Sequence, residues 1–402
     1  MSPVLVEPKL LVWGDRGIEQ NTIEQAAKAS RLPFVNGHVA LMPDAHFGMG
    51  STVGSVIPTQ GAVIPAAIGV DIGCGMIAAE TDIHVNGLPD SLDKLHEWIA
   101  KVVPAGVGQG WERGYGWNKI PLYKGDTKFS TKQVNTIAKQ FGTLGSGNHF
   151  VEVCEDERGA VWVVLHSGSR GIGNQLAVHH IDIARGNMKQ MFITLEDKDL
   201  AYLVQGTPEF DAYIADMRWS QDYAAANREK MMDNVLEQLY GFVGGTDERL
   251  YREVRRINCH HNYTVLEHHH GTDLWITRKG AIRAREGDWG VIPGSMATGS
   301  FIVQGLGNPA SYDSASHGAG RRMSRTKARA ELTTESLIIR MGGKAWNGSG
   351  DQTHYDRQKA AAKSLVDEHP DAYKDIEAVM EAQSDLVVVR HQLTQLLNYK
   401  GV

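Results

Sequence analysis

The sequence predicts a mixed α/β fold, and three observations carry that reading. Segments with helical spacing (18–32, 90–103, 130–141, 175–243) alternate along the chain with segments of β character (38–42, 51–81, 150–165, 258–305). The 402 residues contain no Pro/Ser-rich linker, low-complexity tract or obvious internal repeat, so one large globular unit over 1–402, or two lobes sharing an interface, is expected. Neither a Gly-x-x-x-x-Gly-Lys-Ser/Thr loop nor a convincing dinucleotide fingerprint is present, which disfavours the nucleotide folds built on them.

Taken in order, residues 18–32 place Ile23, Ala26, Ala27 and Ala29 on one face of a helix. His38 to Met42 reads as a short strand ending in Pro43-Asp44-Ala45-His46-Phe47-Gly48. Ser51 to Thr81, rich in Val, Ile, Ala and Gly, reads as short buried strands broken at Pro58 and Pro65, carrying a loop with Asp71 and Cys74. Residues 90–103 and 130–141 read as helices, and the glycine- and aromatic-rich 107–127 as a surface loop. Phe150–Cys154 and Val161–Leu165 flank the turn signal Asp156-Glu157-Arg158-Gly159, a β-hairpin. A turn centred between Glu157 and Arg158 sets His149 opposite His166, with Cβ atoms roughly 4.5–5.5 Å apart. Residues 175–243 are mainly helical with a break at Gly206-Thr207-Pro208, and their Met, Tyr and Leu stripe is a packing face. Residues 258–305 return to strands and turns, with His268-His269-His270 before Gly271 as an exposed hairpin turn. The tail from 371 to 397 reads as helix.

The formal net charge of -6 argues against broad non-specific binding of nucleic acid. A local exception is Arg321, Arg322, Arg325, Lys327 and Arg329, a dense cationic run beside His317 and Gly318-Ala319-Gly320, which favours an anion. The opening stretch MSPVLVEPKLLVWGDRG lacks the pattern of a signal peptide, and Gly61–Val70 is too short to span a bilayer, so no membrane partner is expected. Three cysteines, Cys74, Cys154 and Cys259, are a sparse, odd set that fits free thiols in a reducing cytoplasm.

The chemistry centres on Gly69-Val70-Asp71-Ile72-Gly73-Cys74-Gly75. Asp71 and Cys74 offer a hard oxygen and a soft thiolate, and histidines from Gly147-Asn148-His149, Leu165-His166-Ser167 and Cys259-His260-His261-Asn262 can complete a site for one or two divalent metals. On a strand His260 and His261 point to opposite faces, so only one is a ligand, and the spacing does not choose between them. Cys154 and Cys259 are structural. His317, flanked by glycine and followed by Arg321 and Arg325, is placed to attack a phosphorus centre while the arginines hold phosphate oxygens.

With these residues assembled, the chain resembles the RtcB-type RNA ligases, a family of GTP- and manganese-dependent tRNA-splicing and RNA-repair enzymes. The resemblance runs from Met42-Pro43-Asp44 to Lys400-Gly401 through Gly69–Met76, Gly145–His149, His166–Gly171, His261-Asn262, Arg278–Ala281, Ile292–Met296 and His317–Arg321. It implies one α/β domain with strands and helices around a hydrophilic, metal-containing cleft, not a doubly wound sheet. It implies that Cys74 bridges two Mn²⁺ ions (Zn²⁺ being a possible substitute), with Asp71 and His149 completing one site and His166 and His261 the other. It implies that His317 is guanylylated, and that Asn148, His261, Asn262, Ser295, Ser300, Ala319, Gly320, Tyr373 and Lys400 hold GTP. Arg170 and Arg325 are implied to contact RNA phosphates. The implied reaction joins RNA 2′,3′-cyclic phosphate or 3′-phosphate ends to 5′-hydroxyl ends through a histidine–GMP and an RNA(3′)pp(5′)G intermediate, with an archease-type activator as a possible partner. The chain departs from the family pattern at Met49, where Lys is usual, which bears on substrate preference. The alternatives are a binuclear-metal phosphodiesterase or cyclic-phosphate hydrolase, and an inactive RNA-end-binding paralogue; neither needs His317 or Lys400.

Overall fold

In the computed structural model, which describes residues 3–14, 17–125, 127–244, 252–349 and 355–401, strands and helices alternate along the chain. The first third holds β1 (Val4–Glu7), β2 (Leu10–Val12), α1 (Gln20–Ser30), β3 (Val39–His46), β4 (Val53–Thr59), β5 (Ala62–Val63), α2 (Pro65–Ile68), β6 (Gly75–His84), α3 (Asp93–Val102) and α4 (Thr131–Gln140). The middle holds β7 (Phe150–Glu155), β8 (Ala160–Ser167), α5 (Arg170–Gln190), β9 (Leu203–Val204), α6 (Pro208–Gly244), β10 (Glu253–His260), β11 (Asn262–His269) and β12 (Thr272–Lys279). The remainder holds β13 (Ala281–Arg283), β14 (Trp289–Pro293), β15 (Ser300–Gly305), β16 (Ser314–Ser316), α7 (Arg325–Glu331), α8 (Thr334–Arg340), β17 (Ala345–Trp346), α9 (Tyr355–Leu365), α10 (Ile376–Ala382) and β18 (Val387–Lys400).

Two large sheets organise these strands. One runs β1-β2-β3-β4-β12-β11, the other β10-β6-β8-β7-β18-β15-β14 with β17 on β18. Among the described residues their ladders are antiparallel except β2–β3 and β17–β18. A doubly wound sheet would need parallel neighbours joined by crossover helices, so the expected mixed architecture holds. Alternation along each strand feeds different cores. In the second sheet Ile77, Val153, Leu165 and Leu397 pack on α3 and α6, while Met76, Trp162, Ile302 and Leu393 fill the opposite face. A further cluster joins Ala40, Met42, Val56 and Ile276 of the first sheet to Phe301, Val303 and Val387 of the second, so the sheets meet there.

Several expectations are corrected. The tail is not one helix: α10 ends at Ala382, and 387–400 form β18, paired with β15 on one side and β7 on the other. Its Leu and Gln residues suit a helix locally, but ladder bonds to two strands and burial of Leu393 and Leu397 override that propensity. Pro58 does not break its strand; it lies within β4, beyond the point where pairing with β3 ends at Val56, and its carbonyl accepts the Asn36 N–H at 3.2 Å. Pro65 opens α2 at a position where no N–H is needed. The strand read as ending at Met42 continues to His46. α5 begins at Arg170, earlier than expected, and 191–207 leave the helix.

The hairpin register is shifted by one residue: Phe150, not His149, lies opposite His166. The loop is three residues, Glu157-Arg158-Gly159, closed by the Asp156 N–H on the Ala160 carbonyl at 3.0 Å, with Gly159 at φ +79°. A glycine in the left-handed region absorbs the extra residue that the expected two-residue centring omitted. In the histidine run only His270-Gly271 forms the turn, while His269 is buried and bonded to Glu267 Oε2 at 2.9 Å. Within the loop expected over 107–127 and the segment opening the chain, Asp126, Met1, Ser2, Asp15 and Arg16 lie outside the described residues.

Candidate active site

A cavity of about 500 Å³ opens where the two sheets approach each other. The second sheet supplies most of its metal-type donors. Asp71 and Cys74 sit on the turn that leads into β6, His149 immediately precedes β7, and His166 lies near the end of β8. His261 occupies the single residue between β10 and β11, where the chain passes from one sheet to the other. Its N–H bonds the Cys74 carbonyl at 2.9 Å, which ties that crossing to the Asp71/Cys74 turn. His260 turns away instead, its Nδ1 3.0 Å from the Gly73 carbonyl and 3.2 Å from Arg228. His261, not His260, therefore faces the donor cluster.

The donors converge. Cys74 Sγ is 3.2 Å from His166 Nε2 and 3.6 Å from His149 Nε2. His149 Nε2 is 3.2 Å from Asp71 Oδ2, and His166 Nε2 is 3.3 Å from His261 Nε2. Two triads result, Asp71/Cys74/His149 and Cys74/His166/His261, each with ligand atoms within 4.8 Å of one another and with Cys74 in both. The Nδ1 atoms of His149 and His166 donate to the carbonyls of Leu144 and Asn148 at 2.9 and 3.1 Å. That fixes the tautomer and leaves both Nε2 lone pairs directed at the sulfur, the outer-shell arrangement of metal-binding histidines. Burial pushes the His166 and His261 imidazoles well below their ordinary range, so they are neutral. Burial and Asp71 push the Cys74 thiol up, a cost that a bound cation reverses by favouring thiolate. Thiol, carboxylate and imidazole groups packed this closely fit one or two divalent ions.

His317 follows β16, its ring centroid 4.8 Å from that of His261. Its Nδ1 lies 2.7 Å from Asp44 Oδ2, which also accepts the backbone N–H groups of His317 and Gly318 at 3.2 and 3.3 Å. Asp44 is fully buried on β3. With Nδ1–H donated to the carboxylate, Nε2 carries the lone pair. Two glycines make the approach possible: a Cβ at Gly54 would come within 2.9 Å of Asp44 Oδ1, and one at Gly320, φ +71°, within 2.1 Å of the Asp44 carbonyl oxygen. Lys374 donates from Nζ to the carbonyls on either side, Pro43 at 3.0 Å and Ala45 at 2.6 Å.

Around this centre, Asn148, Asn262, Ser295, Ala319, Gly320, Arg325, Tyr373 and Lys400 all line the same cavity. Asn262 is also a latch: its Nδ2 donates to Asp71 O and its Oδ1 accepts from Gly280 N. Ser300 is buried in β15 opposite Leu393, off the cavity wall. Arg170 is also off the wall, packed against Gly145 and donating to Thr143 Oγ1 at 3.3 Å. Met49 is 80% exposed at the cavity edge, and the Lys279 ammonium beneath it holds the carbonyls of Met49 and Ser51.

Behind Tyr373 and Lys400 stands Glu368. Its Oε2 accepts from Lys400 Nζ at 2.6 Å and Tyr373 OH at 2.7 Å, while Oε1 accepts from Arg325 and, at 3.4 Å, Arg321. Burial pushes this carboxyl up, but the Lys400 and Arg325 charges outweigh it and hold it at about 2. The sequence reading missed three of these positions: Asp44, Glu368 and Lys374. Asp44 lies in the quoted Pro43-Asp44-Ala45-His46 run, a carboxylate and a histidine two apart; Glu368 and Lys374 carry no sequence signal.

Comparison with known proteins agrees across the chain. The family model described as tRNA-splicing ligase RtcB matches residues 25–401. A protein of Escherichia coli strain K12 named RNA-splicing ligase RtcB is 43% identical, covering 96% of this chain and 95% of its own. A Pyrobaculum aerophilum protein named tRNA-splicing ligase RtcB is 31% identical over 90% of this chain and 87% of its own length. A Mycobacterium tuberculosis protein named RNA-splicing ligase RtcB is 27% identical over 94% of this chain and 100% of its own.

Proposed function

As the chain belongs to the RtcB family of splicing ligases, we propose that it is a GTP- and Mn²⁺-dependent RNA ligase, acting over 1–402 as one unit, that seals 2′,3′-cyclic phosphate or 3′-phosphate ends to 5′-hydroxyl ends. The observation that carries this reading is the buried Asp44–His317 pair beside the His261 side of the donor cluster. A hydrolase needs the metals alone; a nucleophilic imidazole held by a buried carboxylate at their edge is what nucleotidyl transfer adds.

His317 Nε2 attacks the α-phosphorus of GTP; the P–N bond forms as the bond to the β-phosphate bridge breaks, and pyrophosphate leaves. Asp44 keeps the proton on Nδ1 and offsets the positive charge on the ring. Water opens a cyclic phosphate to a 3′-phosphate. An oxygen of that 3′-phosphate attacks the histidine-bound phosphorus, breaking P–N and giving RNA(3′)pp(5′)G. The 5′-hydroxyl then attacks the RNA phosphorus, GMP leaves and the phosphodiester forms. Two divalent ions on the Asp71/Cys74/His149 and Cys74/His166/His261 donors, Mn²⁺ or in its place Zn²⁺, would supply Lewis-acid stabilisation of phosphate charge. Ser295, Ala319, Gly320, Tyr373 and Lys400 bind the nucleotide in this reading, and Arg325 the RNA phosphate. Ser300 and Arg170, off the cavity wall, act through the loops they support. The free thiols fit a reducing cytoplasm, and an archease-type activator is the protein partner to test. No helix among the described residues is long and apolar enough to cross a membrane.

The test is covalent labelling with Mn²⁺ and GTP carrying label at the α-phosphate. Acid-labile label on the wild type and none on His317→Ala is expected. No label on the wild type, with an activator supplied, would leave the hydrolase or RNA-end-binding reading in its place.

A further inference from the structure

The Glu368 carboxylate joins parts of the cavity wall that the ligase reading gives different tasks. Lys400 and Tyr373, on the nucleotide side, share Oε2 at 2.6 and 2.7 Å. Arg325, on the RNA side, bonds Oε1 and Asp367 Oδ2, the latter at 2.8 Å, through NH1. Its other terminal nitrogen, NH2, lies 3.6 Å from where a Cβ at Gly147 would stand, so the fork points at the turn holding Asn148 and His149. Arg321 closes the ring, donating to Tyr373 OH at 3.0 Å and to the Asp367 carbonyl at 2.7 Å, with its guanidinium 4.8 Å from the Tyr373 ring centroid. Lys400, Tyr373, Arg321 and Arg325 line the cavity; Glu368 stands behind them, 2% exposed.

Each of these cations alone is long, flexible and costly to hold in one rotamer. A single buried acceptor that takes both oxygens' worth of donors fixes them together, and charge-assisted bonds are the strong kind. Resting on the ligase reading above, we propose that Glu368 is the positioning residue for both substrates: from one carboxylate it aims Lys400 and Tyr373 at the guanine nucleotide and Arg325 at the RNA phosphate. Disrupting one oxygen therefore loosens the end of the site that it holds.

The test uses Glu368→Gln in the full chain. The amide keeps the shape but presents one acceptor and one donor, so it can satisfy the Lys400/Tyr373 side or the Arg325 side, not both. The expected result is a KM for GTP in the labelling step, or a KM for 3′-phosphate RNA in the transfer step, raised about 10-fold or more, with kcat at saturation within about 3-fold and bound Mn²⁺ unchanged. Combined with Lys400→Met, the loss on GTP should not exceed that of the worse single variant, as befits one shared interaction. Wild-type KM values for both substrates in Glu368→Gln, or losses that multiply in the double variant, overturn the proposal. If Glu368→Gln does not fold, the pair Lys400→Met and Arg325→Met decides: non-additive effects on the two KM values support a shared carboxylate, and strictly additive ones overturn it. Absence of label on the wild type overturns the ligase reading and this inference with it.

Discussion

The sharpest division of labour lies in how single carboxylates are used. Asp71 joins the metal-type donors, Glu368 collects cations, and Asp44 serves one imidazole. Only Asp44 touches a group that forms and breaks a bond in the proposed reaction. Asp44→Asn keeps an oxygen able to accept the three donated hydrogens but removes the negative charge that steadies a ring bonded to phosphorus. The labelling rate of Asp44→Asn is expected to fall roughly 10²-fold or more, with Mn²⁺ content by elemental analysis unchanged, because Asp44 is in neither ligand triad. Labelling at the wild-type rate would remove Asp44 from the mechanism.

Among the elements, β18 bears most on the site. It crosses the second sheet between β15 and β7 and delivers Lys400 at its last residue. Leu397, fully buried, packs in the same cluster as Ile77, Val153 and Leu165. Leu397→Ala removes that packing and leaves a cavity, for an expected loss of about 2–5 kcal/mol, read as a shift in the urea unfolding midpoint. A loss below about 1 kcal/mol would mean that the strand end is loosely held, contrary to its ladder. The β7–β8 hairpin shows how little slack an element allows. One glycine in the left-handed region at its tip shifts the register, so Phe150 takes the place opposite His166. His149 reaches the cluster from just outside the ladder instead, its ring centroid 5.2 Å from that of His166.

At the scale of the whole molecule, the site sits at a junction of sheets, and much of its chemistry is buried. Burial holds His46 at about 4 and lowers His38 and His96. These groups bind protons more readily unfolded than folded, so unfolding takes up protons below pH 6.5 and stability falls as pH drops from about 6.5 toward 4. Among the described residues Glu152 opposes this: burial pushes it up to about 8, so its contribution falls as pH rises from 4.5 to 8. Glu368, held at about 2, keeps its contribution until below 4.5 and is silent between pH 5 and 7. The expected outcome for metal-free protein is a lower urea midpoint at pH 5 than at pH 7. A midpoint that is level or higher at pH 5 would show that Glu152 outweighs the histidines.

The chemical inventory is readable in local motifs alone. Asp71, Cys74, His149, His166, the His260-His261 pair and His317 are all legible, because glycine-flanked polar residues are local signals and a donor set is a matter of composition at a motif. Periodicity, which is local, also marked the mixed class and the helices α1, α3, α4, α5 and α6, but not α2, α7, α8 or α9. Tertiary structure decided the rest. It chose His261 over His260, because that choice depends on where β10 hands over to β11. It turned the expected terminal helix into β18, because pairing with two distant strands outweighs local propensity. It brought Asp44 to His317 and Glu368 to Lys400, pairs 273 and 32 residues apart in the chain. Such contacts rest on long-range sheet pairing and on glycines that admit close backbone approach, and neither leaves a mark that a single stretch of sequence can show.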